Sequence, residues 1–495
     1  MRLNQAQLAA LAHRSAAPTH EHALTLPSYD RSRLQPGIVH LGLGAFHRAH
    51  QALYTETAIA AGDLRWGIIG VSLRSTDTRD ALAPQDHLYT VAIRDAQGER
   101  LQVAGALLAS LVAPESPQAV LDAMADARCH IVSLTVTEKG YCYDPASRAL
   151  LLDHPDIVHD LRSAEPRSAI GFIVHALARR RHAGLPPFTV VSCDNLPANG
   201  DTTRGMVLAF ATALDPALAQ WIAAEVAFPN SMVDRIVPKT SADDLAHVTG
   251  CLGMEDAWPV MTEGFSQWVL EDRFCGPRPR WEEAGVTVVG QAAPYEHAKL
   301  RMLNGSHSTL AYLGALIGYE TVDRAMEDPQ LEHFVTTMLA EEVEPTLERP
   351  GLPTYRAELM QRFRNPALKH RLQQIAMDGS QKIPQRLLGT LRQRRAAGLS
   401  HTRLCFALAG WFRYLAGQDE AGRDYSLSDP LAQPLQAAAT VAGGSAARVA
   451  ALLRMTAVFG DDLSGDAALQ ATLTQHLELI RTQGVKNAMH TLDLA

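Results

Sequence analysis

The sequence predicts an α/β chain: a Rossmann-type dinucleotide-binding domain followed by a mostly α-helical domain. Three observations carry this. Residues 38–44, Ile-Val-His-Leu-Gly-Leu-Gly, read as a buried strand ending in glycines. A helical pattern and a second buried strand follow at once, giving the strand, glycine turn, helix, strand order that opens such a fold. After Pro294 the pattern is mainly helical to the C-terminus. The boundary is placed near 290, with a nucleotide-binding domain over 1–290 and a substrate-binding, catalytic domain over 291–495.

Bulk properties narrow the function. At 495 residues the chain has ample length for a large core, and 47% hydrophobic with 20% charged residues is globular. A net charge of −8 argues against nucleic acid and acidic membranes as partners. An anionic ligand would need a local cationic pocket. The six cysteines are scattered and form no CxxC pair, which reads as reduced thiols rather than a disulfide framework or zinc knuckle. No run of about 18 apolar residues appears, and the first 27 residues lack the apolar core of a signal peptide. The expectation is a cytoplasmic protein, a monomer or small homo-oligomer.

In chain order, Gly42 and Gly44 match the first two positions of G-x-G-x-x-G, and His47 stands at the third. Glycines there permit a tight turn and close approach of a pyrophosphate to a helix N-terminus, placing Ala45 and Phe46 beside the cofactor. A bulkier third residue should push helix and strand slightly apart. A helix is expected over 46–61 and a second strand over 66–72. After that strand an acidic residue would bond a ribose 2′-hydroxyl, whereas an arginine would suit a 2′-phosphate. Arg74 occupies the region and Asp77 comes late, so NAD and NADP both stay open. Residues 89–94 and 99–103 read as a hairpin, and 130–136 as a buried strand leading to Glu138. Glu138 admits two readings: a solvated loop carboxylate, or a group at a strand end facing the ligand crevice. The strand at 188–192 leads to Asn195, which is either turn chemistry or a donor to a substrate oxygen. Asp234 and Arg235 adjoin in an apolar setting, the usual sign of a structural ion pair. His47 and His50 lack a Cys or Glu partner at metal-binding spacing, so no metal is expected there.

Residues 295–309 concentrate the chemistry. They place Lys299, Asn304 and His307 within nine residues. On a regular α-helix Lys299 and His307 lie roughly 80° apart, with Asn304 roughly 60° beyond His307. A base, an amide and an imidazole facing one cavity suit proton transfer at a C–OH carbon, and burial would lower the lysine pKa toward neutrality. Further on, Arg371, Lys382 and Arg386 belong to a cationic cluster. It is either a solvated face or a carboxylate-binding pocket.

Five blocks taken together resemble the polyol-specific long-chain dehydrogenase/reductase family. They are Gly42-Leu-Gly-Ala-Phe-His-Arg-Ala-His50, Thr135-Val-Thr-Glu-Lys-Gly-Tyr141, Ser192-Cys-Asp-Asn195 with Asn199-Gly200, Ser231-Met-Val-Asp-Arg-Ile-Val-Pro238, and Lys299-Leu-Arg-Met-Leu-Asn-Gly-Ser-His307. The resemblance implies a nicotinamide-dependent, metal-independent enzyme with its active site at an interdomain cleft. It implies Lys299 as general base, Asn195 and Asn304 as ligands of the reacting oxygen, His307 on a neighbouring hydroxyl, and Glu138 on a proton path to water. Arg362-Phe-Arg-Asn-Pro-Ala-Leu-Lys-His-Arg371 and Gln374-Ile-Ala-Met-Asp-Gly-Ser-Gln-Lys-Ile-Pro-Gln-Arg386 are most similar to the fructuronate reductase branch, which interconverts D-fructuronate and D-mannonate with NAD(H). The alternatives are a neutral polyol such as D-mannitol or D-arabinitol, and a catalytically silent dinucleotide sensor.

Overall fold

The computed structural model describes residues 1–15, 23–95, 98–144, 149–366 and 369–493. Ala96 and Gln97 of the expected hairpin turn, and Ala367 and Leu368 ahead of the cationic cluster, lie outside them. The chain forms two compact units, Met1–Ala293 and Pro294–Ala495.

The first unit is built on strands. In order they are β1 (Ala23–Thr25), β2 (Pro36–Leu41), β3 (Gly67–Ser72), β4 (Tyr89–Asp95), β5 (Gly98–Ala104), β6 (Leu107–Val112) and β7 (Ile131–Leu134). Then come β8 (Tyr143–Asp144), β9 (Ala149–Leu150), β10 (Thr189–Ser192), β11 (Ser231–Asp234), β12 (Val260–Glu263), β13 (Gln267–Glu271) and β14 (Thr287–Val289). The central sheet has the order β10-β7-β2-β3-β6 with all pairs parallel. Read from the other edge this is 3-2-1-4-5, the dinucleotide-binding order as far as its fifth strand, and its direction reverses between β2 and β7. Period-two alternation sends Val39, Leu41, Val132, Leu134 and Val190 to one face, against the helices Pro117–Ala125, Ala169–His182 and Asn199–Leu214. Ile38, Ile131 and Val191 go to the other face, with Trp66, Trp268 and Trp281. A sheet covered on both faces explains why its strands read as continuous apolar runs.

β4 and β5 pair antiparallel as the hairpin pattern predicts, within a sheet of order β1-β5-β4-β12. The helix expected over 46–61 is two helices, Ala45–Ala49 and Gln51–Ala60, broken at His50 with φ −123° and ψ −91°. At the break His50 Nε2 donates to the Gln267 carbonyl at 2.9 Å, and its ring sits between Phe46, Tyr54 and Trp268. That anchoring to β13 competes with the α-helical geometry a continuous helix would need.

The second unit is helical. Its axis is the helix Gly305–Ile317, buried nearly all round, as a helix apolar on every side must be. The helices Thr402–Tyr414 and Ala467–Asp493 pack around it. Among the described residues three π-helical segments interrupt the α-helices: Lys299–Asn304, Met338–Val343 and Pro384–Leu388. The first packs against both of the others. Among the described residues no helix is long and apolar enough to cross a membrane.

Candidate active site

The glycine turn sits at the C-terminal ends of β2 and β7. Gly42 has φ +95°, and a Cβ on it would stand 2.2 Å from the Thr135 carbonyl oxygen, so only glycine fits. Thr135 Oγ1 donates to the Gly42 carbonyl at 2.8 Å and ties the two strand ends together. Gly44 is exposed and caps the next helix with no side-chain bond to its first N–H groups. A Cβ on Gly44 would meet nothing nearer than 3.8 Å. Open space beside uncapped N–H groups, with half-buried Ala45 and Phe46 next in line, fits an approaching pyrophosphate.

His47, at the third position of the motif, is buried and stacks on His40 with ring centroids 3.4 Å apart. His40 in turn is bonded to Ser133 Oγ and Thr135 Oγ1, each at 2.8 Å. Burial lowers the pKa of His40 to about 3 and holds His47 well below its ordinary value, so both rings are neutral. The bulk that should separate helix and strand is accommodated by stacking. Arg74 is exposed just past β3, and Asp234 is buried at the end of β11. Arg235 spends its guanidinium on the carbonyls of Ala49 and Glu263.

Glu138 and Asn195 follow the ends of β7 and β10, and both are exposed. Asp194 fixes both turns. Its carboxylate accepts from Val136 N at 3.0 Å, Thr137 N at 2.9 Å and Tyr141 Oη at 2.8 Å. Thr137 is thereby held at φ +61°, a conformation side chains rarely adopt. Glu138, the next residue, accepts a bond from Tyr143 Oη at 3.2 Å. Burial raises the Asp194 pKa above the usual carboxylate value while these three donors pull it down. Asn199 Nδ2 donates to the Ser192 and Asp194 carbonyls at 3.0 and 3.1 Å and closes the turn that carries Asn195.

In the second unit Lys299 is 7% exposed, Asn304 half-buried and His307 8% exposed. The segment carrying Lys299 and Asn304 is π-helical: Gly305 N–H bonds the Leu300 carbonyl, an i→i+5 link. On a regular α-helix Lys299 and Asn304 would be roughly 140° apart. A wider i→i+5 turn advances fewer degrees per residue, so the π turn brings the two closer to one side than an α-helix would. Arg386 Nη1 donates to the Asn304 carbonyl at 3.4 Å and to Ser308 Oγ at 3.0 Å.

His307 stands 4.7 Å from the Phe363 ring and edge-on to His370 at 5.4 Å. Its pKa is well below the ordinary value, first through burial, then through His370, Arg362 and Arg386. The same causes act on the neighbours. Burial and then Arg362 and Lys382 lower His370, while burial and then Arg386 lower Lys382. Arg386 thus acts on His307 and Lys382 on its neighbour His370, whereas Arg371 is exposed at the start of the helix Leu372–Ala376. Sequence reasoning missed Arg362, Asp194 and the π turn. Arg362 opens a block singled out for resemblance, and Asp194 precedes Asn195 at a strand end, so both were in view.

Comparison with known proteins agrees with this arrangement. The mannitol dehydrogenase Rossmann domain matches residues 36–283 and the mannitol dehydrogenase C-terminal domain matches 291–481. The chain is 44% identical to the D-mannonate oxidoreductase of Escherichia coli over 475 residues, covering 94% of this chain and 97% of that one. It is equally 44% identical to the mannitol 2-dehydrogenase of Aspergillus terreus over 477 residues, covering 94% of each. Among solved structures, the Pseudomonas fluorescens mannitol 2-dehydrogenase ternary complex with NAD and D-mannitol aligns over 100% of both chains at 39% identity and a TM-score of 0.84. An oxidoreductase with a Rossmann-type sheet and a helical second domain, this chain belongs to the mannitol dehydrogenase family.

Proposed function

We propose that the protein interconverts D-fructuronate and D-mannonate with NAD(H) by metal-independent hydride transfer. The observation that carries the uronate reading is the cationic surround of His307. Arg362, His370, Lys382 and Arg386 depress one another's or the imidazole's protonation, and a substrate carboxylate would relieve that repulsion. A neutral polyol would not.

Lys299 takes the proton of the reacting alcohol and returns it in the reverse direction. The amides of Asn195 and Asn304 donate to the same oxygen and stabilise the charge that develops on it. His307, neutral because of its burial and neighbours, accepts a bond from an adjacent hydroxyl. Glu138, exposed, passes the proton between Lys299 and water. Gly42, Gly44, Ala45 and Phe46, with Arg74 and Asp234 as further proposed contacts, would hold a nicotinamide cofactor, which when bound would supply the hydride chemistry.

Two observations favour a second reading, a neutral polyol: the match to mannitol 2-dehydrogenases, and Asp378 and Asp429, which act on Lys382 in the opposite sense to Arg386. NADH oxidation with D-fructuronate and D-fructose at equal, subsaturating concentration separates the two. A charge-assisted contact worth about 1.5–3 kcal/mol gives roughly 10- to 100-fold preference for the uronate. Equal rates, or preference for fructose, would overturn the uronate assignment. Repeating the assay with NADPH tests the cofactor.

A further inference from the structure

We propose that Glu99, His247 and Cys251 form a zinc site on the N-terminal unit, apart from the dehydrogenase chemistry. His247 and Cys251 lie four residues apart on the helix Ala242–Leu252, so they share a face. Glu99 reaches them from β5, 148 residues away in sequence. One ligand atom from each of the three lies within 4.8 Å of the other two.

The convergence point identifies the chemistry. Glu99 Oε1 is 2.5 Å from His247 Nε2, and Cys251 Sγ is 3.6 Å from the same nitrogen. A thiol nucleophile with a histidine base and an orienting acid needs its partners on opposite ring nitrogens. Here thiol and carboxylate meet on one nitrogen, as ligands around an ion do. A tetrahedral centre with Zn–N near 2.0–2.1 Å and Zn–S near 2.3 Å puts nitrogen and sulfur about 3.5 Å apart, close to the observed spacing. The carboxylate oxygen must retreat to roughly 3.4 Å from the nitrogen, within reach because the imidazole is exposed.

The surroundings prepare the site. Arg94 donates Nε to Glu99 Oε2 at 2.5 Å and Nη1 to Asp244 Oδ1 at 2.6 Å, which leaves Glu99 Oε1 turned toward the histidine. A thiolate and two carboxylates against one guanidinium leave two negative charges for a divalent cation. Thiolate, imidazole and carboxylate with one water make a donor set that suits Zn²⁺ better than Mg²⁺ or Ca²⁺. Binding expels the thiol proton and leaves the imidazole proton on Nδ1. The ion would pin the helix to the β4–β5 hairpin.

A second cluster, Cys142, His154 and Asp156, is the competitor. There His154 Nδ1 already accepts the Asp156 N–H at 3.2 Å, and Cys142 is buried.

The test is cobalt titration of the metal-stripped full-length chain, read by the thiolate-to-cobalt charge-transfer band, followed by zinc displacement. The expected result is a band saturating at about one equivalent in the parent and in Cys142→Ser. It is abolished in Cys251→Ser, and affinity falls at least roughly tenfold in His247→Gln and Glu99→Gln. Far-ultraviolet circular dichroism confirms that each variant is folded. No band in the parent, a band surviving in Cys251→Ser, or loss of the band in Cys142→Ser would overturn the assignment.

Discussion

The two units position their proposed functional groups in different ways. In the first, Glu138 and Asn195 ride on turns at strand ends, and the strand order already brings those ends to one edge of the sheet. Short acceptors, Asp194 above all, then fix the turns through backbone N–H groups. In the second, Lys299, Asn304 and His307 lie on one continuous helical path, and a local change of helical repeat decides which way they face. Position comes from topology in one unit and from register in the other.

The largest effect should come from the helical unit. Lys299 is buried and is the proposed proton acceptor, so Lys299→Ala is expected to lower turnover by about 10³-fold, within the range for general acid–base groups. NADH binding, followed by fluorescence titration, should persist. Near-parental turnover would remove the lysine from the mechanism.

The matching perturbation of the strand unit is Asp194→Asn. The carboxylate accepts three bonds, and an amide of the same shape must turn its NH₂ toward one of those donors. Leaving one part-buried or exposed donor without its acceptor costs about 1 kcal/mol, the low end of the range for buried groups, and frees Thr137 from its unusual φ. Turnover should fall about 10²-fold, at a threshold where a displacement of about 1 Å matters, with cofactor affinity nearly intact. If kcat is unchanged, Asp194 is merely structural and the two units differ less than their geometry suggests.

That contrast also explains what was legible in the sequence. Gly42 announces itself because the left-handed turn against Thr135 admits nothing larger. The strands show as apolar runs because both faces of the sheet are covered. The hairpin shows through its alternation. His50 does not announce a helix break, since its partner, the Gln267 carbonyl, is supplied by a strand more than 200 residues away. The π turn is equally silent: Lys-Leu-Arg-Met-Leu-Asn fits a regular helix wheel, and the extra residue is imposed by packing against the segments at Met338–Val343 and Pro384–Leu388. The three proposed site residues were singled out by type and spacing, but the angles assigned to them assumed a regular α-helical repeat, which the π turn replaces. The cationic cluster was found as a run of charges, and only the fold separates half-buried Lys382 and Arg386, which act on His370 and His307 respectively, from exposed Arg371.

Acid should strain the strand unit through a group that does no chemistry. His40 has a folded pKa of about 3 against 6.5 in the unfolded chain. Below pH 6.5 the unfolded state binds the extra proton, so the stability present above 6.5 is lost as pH falls toward 3. Between pH 6.5 and 5 the loss is about 1.6 kcal/mol, roughly 15-fold in the unfolding constant. Five of the six tryptophans lie in the first unit, so urea unfolding followed by tryptophan fluorescence reports mainly on it. His476 in the second unit, lowered to about 4 by burial, acts in the same sense there. His40→Gln should flatten only the first unit's pH dependence, and an unchanged slope would show that His40 titrates normally.

The smallest effect, and the sharpest probe of the helical unit, compares two cations the sequence could not rank. Lys382 is half-buried, near Arg386, with Nζ donating to the Ile375 carbonyl at 3.3 Å. Arg371 is exposed, and its ion pairing with any ligand is screened by water. Lys382→Ala should therefore reduce kcat/KM for D-fructuronate about tenfold more than for D-fructose, as loss of one charge-assisted contact does. Arg371→Ala should change both by less than about twofold. Equal loss on the two substrates in Lys382→Ala would mean that the lysine supports the helix Gly379–Ile383 rather than a carboxylate. A larger effect at Arg371 would place the anion outside the cluster around His307, and the depressed imidazole would then serve a neutral hydroxyl alone.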